Sequence, residues 1–158
     1  VCMTVTSIDG ARVSFDAMQE TLSLTTLGQL NDGDRVNVER SAKQGAEIGG
    51  HNISGHVDGC AEIIGIETTE NNCTLRFRLP QNLSKYVFKK GFIGVCGCSL
   101  TVADYQREAA EFTVCLIPET LRVTNFAKMQ LGDRVNIEVD RQTQVIVDTV
   151  ERVLAERG

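Results

Sequence analysis

His51 and His56 are the chain's two histidines, and they flank a serine inside Gly49-Gly50-His51-Asn52-Ile53-Ser54-Gly55-His56. Imidazole ordinarily gains and loses a proton near neutrality, so any acid–base work by imidazole falls in this stretch. Its glycines let backbone come close to another group. A glycine-rich turn whose histidines bond to backbone has the same composition, and the residues leave both readings open. A second pair of reactive positions lies elsewhere. Cys2 stands before Met3-Thr4-Val5, and Ser99 stands before Leu100-Thr101-Val102. A thiol and a hydroxyl thus occupy the same place in two similar segments, each able to act as a nucleophile or a hydrogen-bonding group. A cysteine there serves equally as a small buried hydrophobe. Thr21 and Thr120 recur likewise behind Glu20 and Glu119, where a turn hydroxyl is the plainer role.

The six cysteines stand at 2, 60, 73, 96, 98 and 115, with no Cys-x-x-Cys pair among them. Their apolar neighbours predict reduced, buried thiols in a cytosolic protein. His51, His56 and Cys60 with Cys96 or Cys98 match no zinc-finger or ribbon spacing, so no metal is expected.

The elements that hold these residues are printed twice. Gly33-Asp34-Arg35-Val36-Asn37-Val38-Glu39 returns as Gly132-Asp133-Arg134-Val135-Asn136-Ile137-Glu138, with six of seven residues identical. Glu20-Thr21-Leu22 returns as Glu119-Thr120-Leu121. This is the mark of an internal duplication. The second copy has a long run before Ser99, and the first has only Val1 before Cys2, so repeat logic implies about fifty residues absent before Val1. Within the first copy, residues 2–6 and 12–15 read as a hairpin turning at Asp9-Gly10, and residues 18–24 as extended chain. Thr25 caps a helical turn to Leu30, and residues 35–39 alternate as a strand. In the second copy, strands are expected over 60–67, 73–79, 92–95, 99–104, 112–116 and 133–139, with a turn over 68–72 and a short helix over 83–88. Asp140 caps a tail helix bearing an apolar stripe of Val145 or Ile146, Val150, Val153 and Leu154. The stripe suits either this chain's own barrel or another subunit. Short strands and frequent turns predict an all-β fold of two similar antiparallel barrels, the first truncated, followed by one α-helix. The expected divisions are 1–47, 48–139 and 140–158.

Composition narrows the partners. Apolar residues make up 42% and charged residues 23% of the chain, as in ordinary globular domains. A net charge of −5 argues against nucleic acid. No apolar run approaches the ~18 residues of a membrane span, so no membrane partner is expected.

On Cys2-Met3-Thr4-Val5-Thr6, the Gly49-to-His56 stretch, Lys90-Gly91-Phe92-Ile93-Gly94, Gly97-x-Ser99-Leu100-Thr101-Val102, Leu116-Ile117-Pro118-Glu119-Thr120-Leu121 and the tail Val147-Asp148-Thr149-Val150-Glu151-Arg152-Val153-Leu154, the chain resembles riboflavin synthase. The resemblance spans essentially the whole chain, apart from the family's first strands. It implies two six-stranded Greek-key barrels and a C-terminal helix that assembles a homotrimer in the cytoplasm. It implies dismutation of two molecules of 6,7-dimethyl-8-ribityllumazine, without metal or organic cofactor. One molecule donates a four-carbon unit to the other, giving riboflavin and 5-amino-6-ribitylamino-pyrimidinedione. The duplication suits that reaction, because two like pockets facing each other supply proximity worth about 7 kcal/mol or more of barrier.

Carried over by position, the first ligand wall is Cys2, Met3 and Thr4 with the turn Asp16-Ala17-Met18-Gln19-Glu20-Thr21. The second is Gly55-His56-Val57, Ser99-Leu100-Thr101 and Leu116-Ile117-Pro118-Glu119-Thr120-Leu121. Lys90 stands where a family residue reaches an adjacent subunit's pocket. The implied catalytic residues are Cys2, which adds to or stabilises addition at the donor ring, and His56, which relays a proton at an acidified ring methyl. Two alternatives are a non-catalytic lumazine- or flavin-carrying antenna protein of the same fold and a purely structural pair of barrels.

Overall fold

The computed structural model describes residues 1–70 and 72–157. Asn71, within the turn expected over 68–72, and Gly158, closing the tail expected over 140–158, lie outside the described residues. The first copy opens as a hairpin of β1 (Val5–Asp9) and β2 (Arg12–Phe15), followed by α1 (Gln19–Leu24) and a 3-10 turn, Thr26–Gln29. The second copy supplies β3 (Gly59–Thr68), β4 (Cys73–Arg78), β5 (Phe92–Val95), β6 (Cys98–Gln106), β7 (Glu111–Leu116) and β8 (Arg134–Val139). These close into an antiparallel barrel in the order β3-β4-β7-β6-β5-β8, so β4 lies beside β7 rather than β5, a Greek-key departure from sequence order.

The alternating pattern decides which faces turn inward. Along β4, Cys73, Leu75 and Phe77 are buried while Arg76 and Arg78 are exposed. Along β7, Phe112, Val114 and Leu116 are buried. Phe77 and Phe112 are register partners whose rings stack at 4.9 Å, a favourable cross-strand pair. Ile93, Val95, Val102, Val135, Ile137 and Val139 fill the rest of the interior. The register shifts once in β3, between Ile63 and Gly65, and once in β6, between Val102 and Asp104. Such bulges bend strands and let a short sheet close.

Three expectations are corrected. Residues 18–24, expected as extended chain, contain α1: Leu22 N–H donates to Met18 O at 3.1 Å, and Thr25 N–H to Thr21 O at 3.1 Å. Its counterpart α2 (Pro118–Val123) carries proline in its first turn, where the missing N–H costs nothing. Residues 35–39, expected as a strand, form none, although their near-identical counterpart is β8. β8 has β3 on one side and β5 on the other, and no strand pairs with 35–39 among the described residues. Cys60 and Cys73 are buried as expected, but Cys2 and Cys115 are exposed.

The two copies also make the same small contacts. Thr25 Oγ1 donates to Thr21 O at 2.7 Å and Thr124 Oγ1 to Thr120 O at 2.6 Å. Across the copies, Asn136 Oδ1 accepts the Thr26 N–H at 2.8 Å, and Asn37 Oδ1 accepts the Asn125 N–H at 2.9 Å. Asn37 and Asn136 are the same residue of the repeated heptapeptide, and each reaches into the other's half.

The tail is α3 (Arg141–Ala155), capped by Asp140, whose carboxylate accepts the Thr143 N–H at 3.0 Å and its hydroxyl at 2.7 Å. Tyr86 donates to Asp148 at 2.6 Å, Lys85 reaches Glu151 at 2.5 Å, and Val147 rests on the barrel core. Val145, Ile146, Val150, Val153 and Leu154 remain exposed. No helix among the described residues is long and apolar enough to cross a membrane.

Candidate functional site

The glycine-rich stretch is held from below by Glu138, near the end of β8 and 5% exposed. Its Oε1 accepts the Ser54 N–H at 2.8 Å and the Ser54 hydroxyl at 2.7 Å, and its Oε2 accepts the Gly55 N–H at 2.8 Å. A buried carboxylate is tolerable only when its oxygens are met this way. Glu138 is a site residue that sequence reasoning missed. Its one signal was the glutamate closing both copies of the heptapeptide, and Glu39 in the first copy is exposed.

Gly55 brings Cys2 to this loop. Its φ is +79°, and a Cβ built on it would stand 2.5 Å from Cys2 N and 2.9 Å from Cys2 Cα. Real Cβ atoms do not approach that closely, so glycine is required. The Cys2 N–H donates to Gly55 O at 2.8 Å. The next residue, His56, is exposed; its carbonyl accepts from Arg141 at 2.5 Å, and Arg141 is in turn paired with Asp58 at 2.7 Å. Cys2 and His56, far apart in sequence, therefore flank one glycine.

The other end of the stretch meets Ser99. His51 N–H donates to Ser99 Oγ at 3.0 Å, and His51 Nδ1 lies 2.6 Å from the same oxygen. A Cβ at Gly50 would collide with the Ser99 hydroxyl, so here too the glycine admits a partner. The His51 ring stacks on Phe92 at 5.0 Å, a contact that sequence reasoning also missed. Burial lowers the His51 pKa below the ordinary imidazole range, against the raising pull of Asp140 and Glu138. His51 Nε2 is buried with no hydrogen-bond partner among the described residues.

The remaining positions spread around these two contacts. Thr4 and Thr101 are exposed, and Met3, Val57 and Leu100 are half-buried. Asp16, Ala17 and Met18 are exposed on the approach to α1 and Gln19 and Glu20 in its first turn, with Thr21 half-buried. Leu116 lies in the barrel core, whereas Ile117, Pro118 and Glu119 are exposed, and Thr120 and Leu121 half-buried. The Arg122 guanidinium holds the Glu119 carboxyl below the usual range. Lys90 adopts φ +68° and lines a groove with Phe92, Thr143, Ile146 and Val147. The described residues hold no cluster of three or more metal-ligating side chains.

Known proteins with the same pattern agree on the family. The lumazine binding domain model matches residues 1–41 and 54–140. Riboflavin synthase of Escherichia coli (strain K12) is 55% identical over 157 residues, covering 99% of this chain and 73% of that protein. The Chlamydia pneumoniae riboflavin synthase is 48% identical over 158 residues, covering 100% and 76%. The Mycobacterium tuberculosis (strain CDC 1551 / Oshkosh) riboflavin synthase is 40% identical over 161 residues, covering 100% and 78%. Among solved structures, LumP complexed with riboflavin superposes with a TM-score of 0.78 at 25% identity, covering 88% of this chain and 74% of LumP. LumP with 6,7-dimethyl-8-(1'-D-ribityl) lumazine gives the same TM-score at 24% identity, a likeness of fold alone. The chain, with its antiparallel barrel, its glycine-rich stretch and its identity to these enzymes along almost its whole length, belongs to the riboflavin synthase family.

Proposed function

We propose that this chain is a riboflavin synthase that binds 6,7-dimethyl-8-ribityllumazine and transfers a four-carbon unit from one molecule to another. The products are riboflavin and 5-amino-6-ribitylamino-pyrimidinedione. One observation carries the assignment of residues. Cys2 and Ser99, which hold the same place in the two copies, are both gripped by the single stretch from Gly50 to Gly55. That contact supports a reading in which two related walls act together on two copies of one molecule. Cys2 acts at the donor ring, where its sulfur adds to an electron-poor carbon or stabilises addition there. His56, the residue that follows the Gly55 in contact with Cys2, moves the ring-methyl proton. Ser99, Thr101 and the hydroxyls of Thr4, Thr21 and Thr120 bind the pyrimidinedione edge and the ribityl chain.

The recurring Thr–carbonyl bonds and the exchanged Asn37 and Asn136 contacts support assigning residues 1–47 to a partial first barrel, 48–139 to the second, and 140–158 to an assembly helix. The exposed stripe on α3 supports a homotrimer built through that helix, with each first barrel facing a neighbour's second. Six free thiols fit a reducing, cytoplasmic setting.

The decisive experiment is lumazine turnover followed by riboflavin fluorescence, on this chain and on Cys2→Ser and His56→Gln variants. Turnover that falls at least ten-fold in both variants is expected. If both keep their turnover number within a factor of two, the assignment of catalysis to Cys2 and His56 is wrong. The likeness to LumP favours a second reading, a chromophore carrier without turnover. It predicts a protein that purifies coloured and saturates with riboflavin while leaving lumazine unchanged.

A further inference from the structure

His51 and Ser99 form a pair whose geometry limits what Ser99 can offer a ligand. The Ser99 oxygen accepts the His51 backbone N–H at 3.0 Å, which occupies one lone pair. It keeps one lone pair and one proton, and Nδ1, 2.6 Å away, takes one of the two. The other is what a bound molecule meets. The ring is not free to choose another partner. Gly50 leaves room for Ser99 only because it lacks a side chain, and Phe92 stacks on the imidazole with an interplanar angle of 15°.

We propose that His51 is a positioning residue that sets the hydrogen-bonding direction of Ser99. The neutral ring accepts the Ser99 proton on Nδ1, and Oγ meets the ligand as an acceptor for a ring N–H or a polyol hydroxyl. Protonation of His51 reverses the bond: Nδ1–H donates to Oγ, and Ser99 turns its own proton outward as a donor. The inference rests on the placement of Ser99 in the ligand wall and gives that placement a polarity. It also gives the two histidines different tasks, His51 acting through Ser99 and His56 on the reacting ring.

The charged groups facing the ring are Glu138 on β8 and Asp140 at the head of α3. Phe92 on β5 and Ser99 on β6 face it without charge. Burial outweighs the two carboxylates, so the neutral form is the resting one.

The chain's two histidines make the test tractable. Nitrogen-detected NMR of the ligand-free protein reads the imidazole protonation directly. The expected result near neutrality is a His51 ring with its proton on Nε2, whose Nδ1 resonance moves in Ser99→Ala. A ring carrying its proton on Nδ1 overturns the proposal.

Riboflavin binding, followed by fluorescence titration between about pH 5 and 8 in a His56→Gln parent so that His51 is the imidazole that titrates, gives the second reading: binding weakens on the acid side as Ser99 turns from acceptor to donor. Ser99→Ala weakens binding about ten-fold, the value of one hydrogen bond. His51→Leu, which lacks an acceptor, falls to the same level. His51→Asn offers an oxygen near the Nδ1 position but takes no proton; it binds like its parent near neutrality and lacks the acid-side weakening that protonation of His51 produces. If Ser99→Ala binds normally, the ligand wall is misplaced and the proposal falls with it. If Ser99→Ala weakens binding while His51→Leu does not, or if the acid-side change persists in His51→Asn, the wall stands and the role of His51 is overturned.

Discussion

Glu138 carries a charge into the barrel wall and spends it on one loop. Three donors from Ser54 and Gly55 meet its two oxygens, and bonds to a charged acceptor are roughly twice as strong as neutral ones. Glu138→Gln leaves one of those donors without an acceptor and should cost about 2 kcal/mol, read as a shift of the urea midpoint. Turnover should fall further than stability alone explains, because the loop fixes Cys2. Gly55 and Gly97 separate two effects at the same scale. Both adopt positive φ, +79° and +83°, but only at Gly55 does a Cβ meet Cys2. Alanine at either position should cost on the order of 1–3 kcal/mol for the left-handed backbone. Only Gly55→Ala should also lose most of its turnover. Equal activity in the two variants would argue that the Cys2 contact is incidental.

At the scale of elements, α3 depends on its cap. Asp140→Ala should destabilise the protein by about 1 kcal/mol at neutral pH, measured by thermal or urea unfolding. Burial pushes the Asp140 carboxyl up, but the Thr143 hydroxyl and N–H, the His51 ring and the Gln142 N–H together hold it below the usual range. A group whose folded pKa is depressed adds stability above its unfolded value of about 4 and loses it as pH falls through the folded value. The gap between the two proteins should therefore be full near pH 7 and shrink as the pH falls below about 4. A gap that does not shrink in acid would exclude the cap as its source. The repeated heptapeptide teaches a related point. Residues 134–139 form a strand because neighbours on both sides satisfy their backbone groups, while 35–39 have no such neighbours and take another course. α1 was hidden for a different reason: six residues of ordinary propensity are too few for periodicity to speak, and only the hydrogen bonds to Met18 and Thr21 identify it.

At the scale of the molecule, α3 leaves five large apolar residues exposed. A contiguous stripe of that kind belongs against another surface. If the proposed trimer is built through this stripe, Ile146→Asp combined with Val150→Asp should convert it to monomers by sedimentation analysis, with the β-sheet circular dichroism unchanged. Turnover should fall with assembly, because the proposed facing walls come from different subunits. Variants that sediment as the unsubstituted protein does would remove the stripe from the interface. Within one subunit, the exchanged Asn37 and Asn136 bonds join the halves, so the hairpin half is not merely tethered by the chain between residues 40 and 48.

The sequence by itself determined the duplication signal, the β-strands of the barrel, the capped tail helix, the glycine-rich stretch and the family. Each of these is written locally, in alternation, capping chemistry or a motif of adjacent residues. Tertiary structure alone decided that Glu138 would carry the loop, that Gly55 would meet Cys2, that Phe92 would lie under His51, and that one copy of a repeated heptapeptide would be a strand and the other not. These are contacts between residues distant in sequence. A side chain's role there is set by what the closed barrel brings against it, and no spacing along the chain encodes that.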